Sequence, residues 1–197
     1  MKRNLLLLLS SIVMILVSCS KDHTNPDTAG IQGTYKLKSL SAKTNSTLTD
    51  NEGGKLITVS DYTTINNSGT IVIDGSRFSA TGLSYEVNSM ARASFYQDNQ
   101  FVDSFSTPFN VKIPPINSTA PYKLIGADSI YFQNGSLASG IAGNGSIQTG
   151  PNGGRYTLSG NLLTIKQNAS KDSSFQESGI TYHKVDMVLA TFVMEKQ

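Results

Sequence analysis

Few side chains in this sequence have the type and spacing to do covalent chemistry. Cys19 is the only cysteine in 197 residues, and the only histidines are His23 and His183. No His-x-x-x-His or Cys-x-x-Cys spacing offers a metal site, and no Gly-x-Ser-x-Gly elbow presents a serine nucleophile. Glycine is abundant, yet no glycine-rich loop leads through a lysine into a helix as a phosphate cradle requires. Asp103, Asp128 and Asp186 are the acids a fold would have to bring together for a two-carboxylate hydrolytic site; surface or capping roles are the alternative. In a strand, Tyr182, Lys184 and Asp186 point one way and His183 the other, which separates the histidine from the acid and makes it a sheet-surface residue. No catalytic group, metal or cofactor is expected, and the protein reads as a non-enzyme.

The one cysteine has a different setting. Lys2 and Arg3 precede an apolar run, Leu5–Leu9 and Ile12–Val17, that closes on Leu16-Val17-Ser18-Cys19. A positive start, a short apolar stretch and a small residue before the break are the marks of an export signal, too short and wrongly flanked for a spanning helix. Leu16, Ser18 and Cys19 resemble the lipobox of bacterial lipoproteins. That resemblance implies cleavage before Cys19, a diacylglyceryl group on its thiol and acylation of the new amino terminus by a fatty acid such as palmitate. Two or three buried acyl chains hold a protein on a membrane where one does not, at about 0.8 kcal/mol per buried CH₂. Ser20 is not the Asp associated with inner-membrane retention, and Lys21-Asp22 resembles part of the surface-export signal of Bacteroidota lipoproteins. The expected location is the outer membrane, on its periplasmic face or at the cell surface.

Composition bounds the rest. Of 16 Lys and Arg, Lys2 and Arg3 leave with residues 1–18, so 14 basic residues face 14 acidic ones. A neutral mature chain lacks the basic stripe that nucleic acid requires. Charged residues make up only 15% of the sequence, whereas exposed helix faces draw heavily on Glu and Lys. Ser, Thr, Asn and Gly in this abundance favour strands and turns.

The chain divides into a signal (residues 1–18), a flexible tether (19–32) and one domain (33–197). From Gly33 onward, short alternating apolar runs recur between turn signals, the pattern of an antiparallel all-β domain. Asp74-Gly75 and Ser159-Gly160-Asn161 are tight-turn candidates. Asn88–Tyr96 satisfies both a helical face and strand parity, so one short helix remains open there. If Pro108 does not reset the register, Phe101, Phe105, Phe109, Val111 and Ile113 share one face of an edge strand, with Asp103 among them. Val185 and Met187–Met194 are apolar on both parities apart from Thr191. A strand apolar on both faces is expected to be covered on both, here by a loop, the helix or another molecule, which makes the C-terminal strand a candidate protein interface. Residues 134–154, rich in glycine, read as a flap over an opening or as a solvated spacer.

Gly33-Thr34-Tyr35-Lys36-Leu37 resembles the Gly-x-Trp first strand of lipocalin-like domains, with Tyr35 in the Trp position. The run from Tyr156 through Gly160-Asn161 to Ile165 resembles a hairpin of lipocalin-like lipoproteins of Bacteroidota, and Tyr131–Ser136 and the apolar ending through Phe192 are similar to its flanking strands. The resemblance covers about a third of the mature chain and implies an up-and-down antiparallel β-barrel of about eight strands, able to hold one small ligand or to be filled by side chains. If a pocket exists, Tyr35, Tyr85, Phe101, Phe105, Tyr131 and Tyr156 are its expected walls and Asp103 its polar anchor; ordinary core packing is the alternative for the aromatics. The expected function is a lipid-anchored binding module for a small apolar or amphipathic molecule, with a structural or interaction subunit of an envelope assembly as the other reading.

Cys19→Ala is expected to abolish acylation and to move the protein from the membrane to the soluble fraction. Unchanged partition after high-speed sedimentation would remove the lipoprotein reading.

Overall fold

A computed structural model of the protein describes residues 30–133 and 152–197. The signal segment, Cys19, most of the tether and most of the 134–154 stretch lie outside the described residues. Among the described residues, nine strands form one antiparallel sheet: β1 Gly33–Asp50, β2 Gly54–Thr63, β3 Ile65–Ile73, β4 Arg77–Gln97, β5 Gln100–Ile125, β6 Ser129–Phe132, β7 Asn152–Ser159, β8 Leu162–Glu177 and β9 Ile180–Lys196. The last strand returns to the first along nearly its whole length, from Tyr35↔Lys196 to Asp50↔Tyr182, so the sheet closes into a barrel. The described residues contain no α-helix, and Asn88–Tyr96 is strand, inside β4.

Nine strands occupy eight positions around the ring. β1 pairs with β3 at Gly33–Tyr35 and with β2 from Ser41 to Thr49, and both β2 and β3 pair with β4 on their other side. They are two halves of one barrel position, separated by Thr64. This buried threonine bridges the break: its N–H donates to Leu40 O at 2.9 Å, and its Oγ1 accepts from the Leu40 N–H at 2.9 Å.

The barrel has two storeys. In the lower one β6 and β7 lie between β5 and β8 and complete the ring, joined to it over Tyr122–Ile125 of β5 and Gly154–Ser159 of β7. The β6 ladder with β5 ends at Tyr122↔Phe132, and the β7 ladder with β8 ends at Gly154↔Gln167. Above that level β5 and β8 continue without a ladder partner on their outer edges among the described residues, and the ring becomes an open six-stranded sheet in the order β5–β4–β2–β1–β9–β8. Its tips are tight turns. Asp98 and Asn99 have φ of 51° and 63°, and Ser178 and Gly179 have 53° and 85°, the two successive left-handed residues of a type I′ hairpin turn, which matches strand twist. The edges are guarded by composition: β5 carries Pro108, Pro114 and Pro115, and the free part of β8 carries Lys171 and Asp172, devices that discourage another strand from pairing.

Side chains fill the lower storey. Tyr35, Phe78, Phe132 and Phe192 are fully buried with Leu163 and Ile165. Phe78 meets Tyr122 edge-on at 4.9 Å and Phe132 at 5.5 Å, geometry that adds to area burial. Where β3 bulges, a Cβ on Gly69 would stand 2.6 Å from Gly82 O, and the residue has φ +97°, so both space and backbone demand glycine. Ile31 is buried beneath this core, and its carbonyl accepts from the Tyr35 hydroxyl at 2.9 Å. The N-terminal segment therefore enters at the closed end, beside the C-terminal Gln197 (N–H to Thr34 O, 2.9 Å) and opposite the open tips.

Two expectations about strand faces resolve here. The register passes Pro108 unbroken, with Thr107↔Ala91, Pro108↔Met90 and Phe109↔Ser89, so Asp103, Phe105, Phe109, Val111 and Ile113 share the inner face. Phe101 leaves that face: an extra residue in β5 between Asp103 and Phe101 shifts it opposite Tyr96, whose ring it meets edge-on at 5.8 Å. On β9, Val188, Ala190, Phe192 and Met194 are buried, but Met187 and Leu189 on the outer side are 53% and 45% exposed. No described part of the chain covers them.

Phe192→Ala is expected to cost about 3–5 kcal/mol in urea unfolding through lost burial and the cavity left behind, whereas Leu189→Ala stays within about 0.5 kcal/mol. Equal losses would mean that Leu189 is covered in solution.

Candidate functional site: the open face above a filled barrel

The side chains expected to wall a single pocket are distributed over three environments. Tyr35 and Tyr85 belong to the packed lower storey, and Tyr156 is half-buried against it. Tyr131 alternates with the buried Ile130 and Phe132 and so points to the outer side of β6. Phe101 is on the outer face near the tip. Only Asp103 and Phe105 come together, on the inner face of the open sheet. The lower ring is occupied by side chains, and the concave surface that the described residues leave uncovered lies above it.

Register defines that surface row by row. Nearest the barrel lie Thr107, Ala91, Ser60, Thr44, Val188 and Ala169. The next row reads Phe105, Ala93, Thr58, Ser46, Asp186 and Lys171, and the next Asp103, Phe95, Leu56, Leu48, Lys184 and Ser173. Successive rows are about 6.6 Å apart along the strands, and neighbouring strands about 4.8 Å apart across them. The first two rows hold small and hydroxyl-bearing side chains at their centre, which leaves a low floor. The third row is apolar at its centre. Phe95 stacks on Phe105 at 5.7 Å, and toward the tip Tyr182 stacks on Phe175 at 5.1 Å. Leu48, Leu56, Phe95, Val102 and Tyr182, with Asp50, line a groove of about 350 Å³. On the outer side of the sheet, Met187 and Leu189 with Lys43, Asn45, Asn168 and Ser170 line a second groove of about 540 Å³.

Charge on the inner face gathers on β8 and β9. Lys184 Nζ lies 3.0 Å from Asp186 Oδ2. Desolvation pushes the Asp186 carboxyl up, but hydrogen bonds from Ser46 and Lys184 and the charges of Lys184 and Lys171 outweigh it, so the net direction is down and the group is a carboxylate. Asp50 is spent on the β1–β2 turn, where its Oδ1 accepts from Glu52 and Gly54 N–H. The three acids considered for a two-carboxylate site do not converge. Asp128 sits at the closed end bonded to Arg155, and Asp103 and Asp186 are four strand positions apart. His183 faces outward and meets Asp172 of β8 at 2.7 Å, on the opposite face from Asp186 as strand parity requires. Among the described residues no three His, Cys, Asp or Glu side chains gather to hold a metal ion.

The sequence left Leu48, Leu56, Phe95, Phe175 and Lys184 unassigned. The first two stand as lone or paired apolar residues in Ser/Thr-rich stretches, and Phe175 is isolated among Ser, Gln and Glu. Period-two spacing of Leu48 with Ser46 and Thr44 was the available signal, and polarity masked it.

No protein-family model matches the chain, and no curated protein matches it. Among solved structures, the chain compares with the crystal structure of Ail, the attachment invasion locus protein of Yersinia pestis, and with the same protein in complex with the heparin analogue sucrose octasulfate. In both cases the identity is 8%, the comparison covers 83% of this chain and 99% of the other, and the TM-score is 0.19. A likeness at that level carries no argument about fold or function.

The tyrosines give a test of the filled ring. Burial holds the phenols of Tyr35, Tyr62, Tyr85 and Tyr156 above their ordinary range. Tyr122 is pushed up to about 12, first by burial and then by the charges of Asp74, Tyr156 and Tyr35. A phenol whose folded pKa is raised stabilises the fold fully below the unfolded value of 10.0, and that contribution is lost as pH rises toward 12. Alkaline absorbance titration is therefore expected to show a class of tyrosines that ionises only as the fold melts. Titration of all tyrosines near pH 10 with circular dichroism unchanged would contradict a filled ring.

Proposed function

We propose that this protein is a lipid-anchored binding module of the bacterial outer membrane, in which a filled β-barrel is a rigid mount and the open six-stranded sheet is the working surface. The observation that carries the reading is the division of the barrel: its closed storey is packed with side chains, while the storey above offers a concave, partly apolar face to solvent. Anchoring rests on the export signal and Cys19, and on the resemblance to lipocalin-like lipoproteins of Bacteroidota. In this reading the ligand is small and amphipathic and is taken on the inner face of the sheet, not inside the ring.

A second reading has its own observation. Met187 and Leu189 form an exposed apolar strip on the outer side of the C-terminal strand, and such strips mark surfaces that another protein covers. In that reading the molecule is a subunit of an envelope or surface assembly.

Native mass spectrometry of the protein released from its own membranes separates the two. A small bound mass that is lost on denaturation, and is absent from Leu56→Asp, is the expected result for the inner face. A co-released polypeptide that is absent from Met187→Asp is the result for the outer strip. A lone lipidated polypeptide in every case would end the binding-module reading.

A further inference from the structure

The neutral mature chain divides its charge between the two ends of the barrel. In the closed storey Lys38 and Arg155 are matched by Glu195 and Asp128. Beyond those pairs, Lys36, Arg77, Lys123 and Lys166 are exposed and Lys196 is half-buried, five cations against the single acid Asp74. That carboxylate accepts from the Ser76 and Arg77 N–H groups of its own turn. The turns of the open tip are the reverse, with Asp50, Glu52, Asp98 and Glu177 against Lys55. Along β1 the two ends are about 55 Å apart, several times the roughly 8–10 Å over which exposed charges act in physiological salt. Each end therefore presents its own field. Residues 134–151 contain no charged side chain, and Lys21, Asp22 and Asp27 together add one negative charge, which leaves the excess at the closed end in place.

Apolar side chains stand among these cations. Ile125, at the β5–β6 turn, is 57% exposed; Leu158 and Leu162 flank the β7–β8 turn, and Val72 precedes the β3–β4 turn, all three exposed. Register sets one outward row as Ile125, Ser129, Arg155 and Lys166 from β5 to β8. Lys123 is two residues before Ile125 and shares its side of the strand. Each turn at the closed end thus brings hydrocarbon to a basic rim, and no described part of the chain covers it.

We propose that the closed end is a membrane-contact surface, its exposed apolar side chains entering the interface of an anionic phospholipid bilayer and its cations lying against lipid phosphates. The proposal rests on the placement of the protein at a membrane in the reading above, and it names the end that faces the lipid.

Hydrocarbon does not choose between the ends, since Phe101, Val102 and Phe175 are exposed near the tip. Charge does. Each Lys or Arg close to an anionic membrane strengthens binding about fivefold, and each acid opposes it, so the basic end is drawn to the surface and the acidic tip is repelled. A soluble polyanion would satisfy the cations and leave the aliphatic side chains in water, whereas a bilayer interface takes both.

The test uses the mature chain, residues 19–197, carrying Cys19→Ser so that no attached acyl group contributes. The sequence has no tryptophan, so one introduced indole reports its own surroundings. Ile125→Trp and Phe101→Trp are each titrated with vesicles of phosphatidylglycerol and phosphatidylcholine in equal parts, and with phosphatidylcholine vesicles. On the mixed vesicles Ile125→Trp emission is expected to shift to the blue and Phe101→Trp emission to stay unchanged; neutral vesicles are expected to shift neither. Adding Lys123→Gln and Lys166→Gln to Ile125→Trp is expected to weaken binding about 25-fold, the product of two charges. Adding Lys55→Gln and Lys184→Gln instead, the same change in net charge at the tip, is expected to leave binding within about twofold.

Failure to bind the mixed vesicles overturns the proposal, as does a blue shift in Phe101→Trp without one in Ile125→Trp. Equal losses from the two double substitutions overturn it as well, because net charge and not the closed end would then govern binding. Co-sedimentation with the mixed vesicles that shifts neither indole, matched by binding to dextran sulfate, overturns the bilayer as the partner in favour of a soluble polyanion. None of these outcomes bears on the lipid anchor, which the membrane partition of Cys19→Ala tests separately.

Discussion

The pairing of β9 with β1 is the constraint on which both storeys depend. In the lower storey this ladder closes the ring, and it brings Phe192 and Met194 onto Leu40 and Leu37. In the upper storey the same two strands, continuing in register from Ala42↔Ala190 to Asp50↔Tyr182, become the centre of an open sheet. A one-residue slip would exchange the faces of β9, placing Met187 and Leu189 inside and Asp186 and Lys184 outside. Packing fixes the register from below, because only one parity of β9 supplies Phe192 and Met194 to the closed core. The chemistry of the open face is therefore set by contacts made about 20 Å away in the barrel.

Residue size follows the change of storey along each strand. β4 begins with Phe78, Leu83 and Tyr85 on its inner face and continues with Ser89, Ala91 and Ala93; β1 begins with Tyr35, Leu37 and Leu40 and continues with Ala42, Thr44 and Ser46. Large side chains fill a closed ring, where each is surrounded by seven other strands. In the open sheet a large inner side chain has no opposing wall, and the same positions carry small or hydroxyl-bearing residues that tolerate water. Tyr62 and Phe109, in contact at 5.6 Å, stand at the boundary. The return of Phe95, Leu56, Leu48 and Tyr182 above a small-residue floor departs from this gradient. The core does not need them.

That change of environment also explains which parts of the fold were legible in the sequence. The lower storey has one dry and one wet face, so its strands alternate cleanly and Thr34–Leu40, Arg77–Ala80 and Leu162–Gln167 stand out, as does the hairpin turn at Gly160-Asn161. Upper β1 from Ser41 and upper β8 from Asn168 have both faces near water, and there alternation loses its contrast; Ser, Thr and Asn in those stretches mimic loops. The doubly apolar C-terminal strand signalled cover on both sides, but strand pattern reports what a face is made of and not what lies against it. Of the pocket residues, Asp103 and Phe105 were placed on one face correctly because Pro108 keeps the register, while the bulge that turns Phe101 outward is a backbone event without a mark in side-chain parity.

The open storey carries features that act against pairing rather than for it. Two edges of the same sheet without a ladder partner among the described residues would ordinarily recruit another strand. On β5, prolines remove ladder donors; on β8, charged and hydroxyl-bearing residues hold water against the edge. These guards act in the plane of the sheet and leave its faces open. The side chains on the inner face are of two kinds set in one row, hydrocarbon and aromatic from β4 to β1 and cationic on β9, and the β1–β9 register maintains that order.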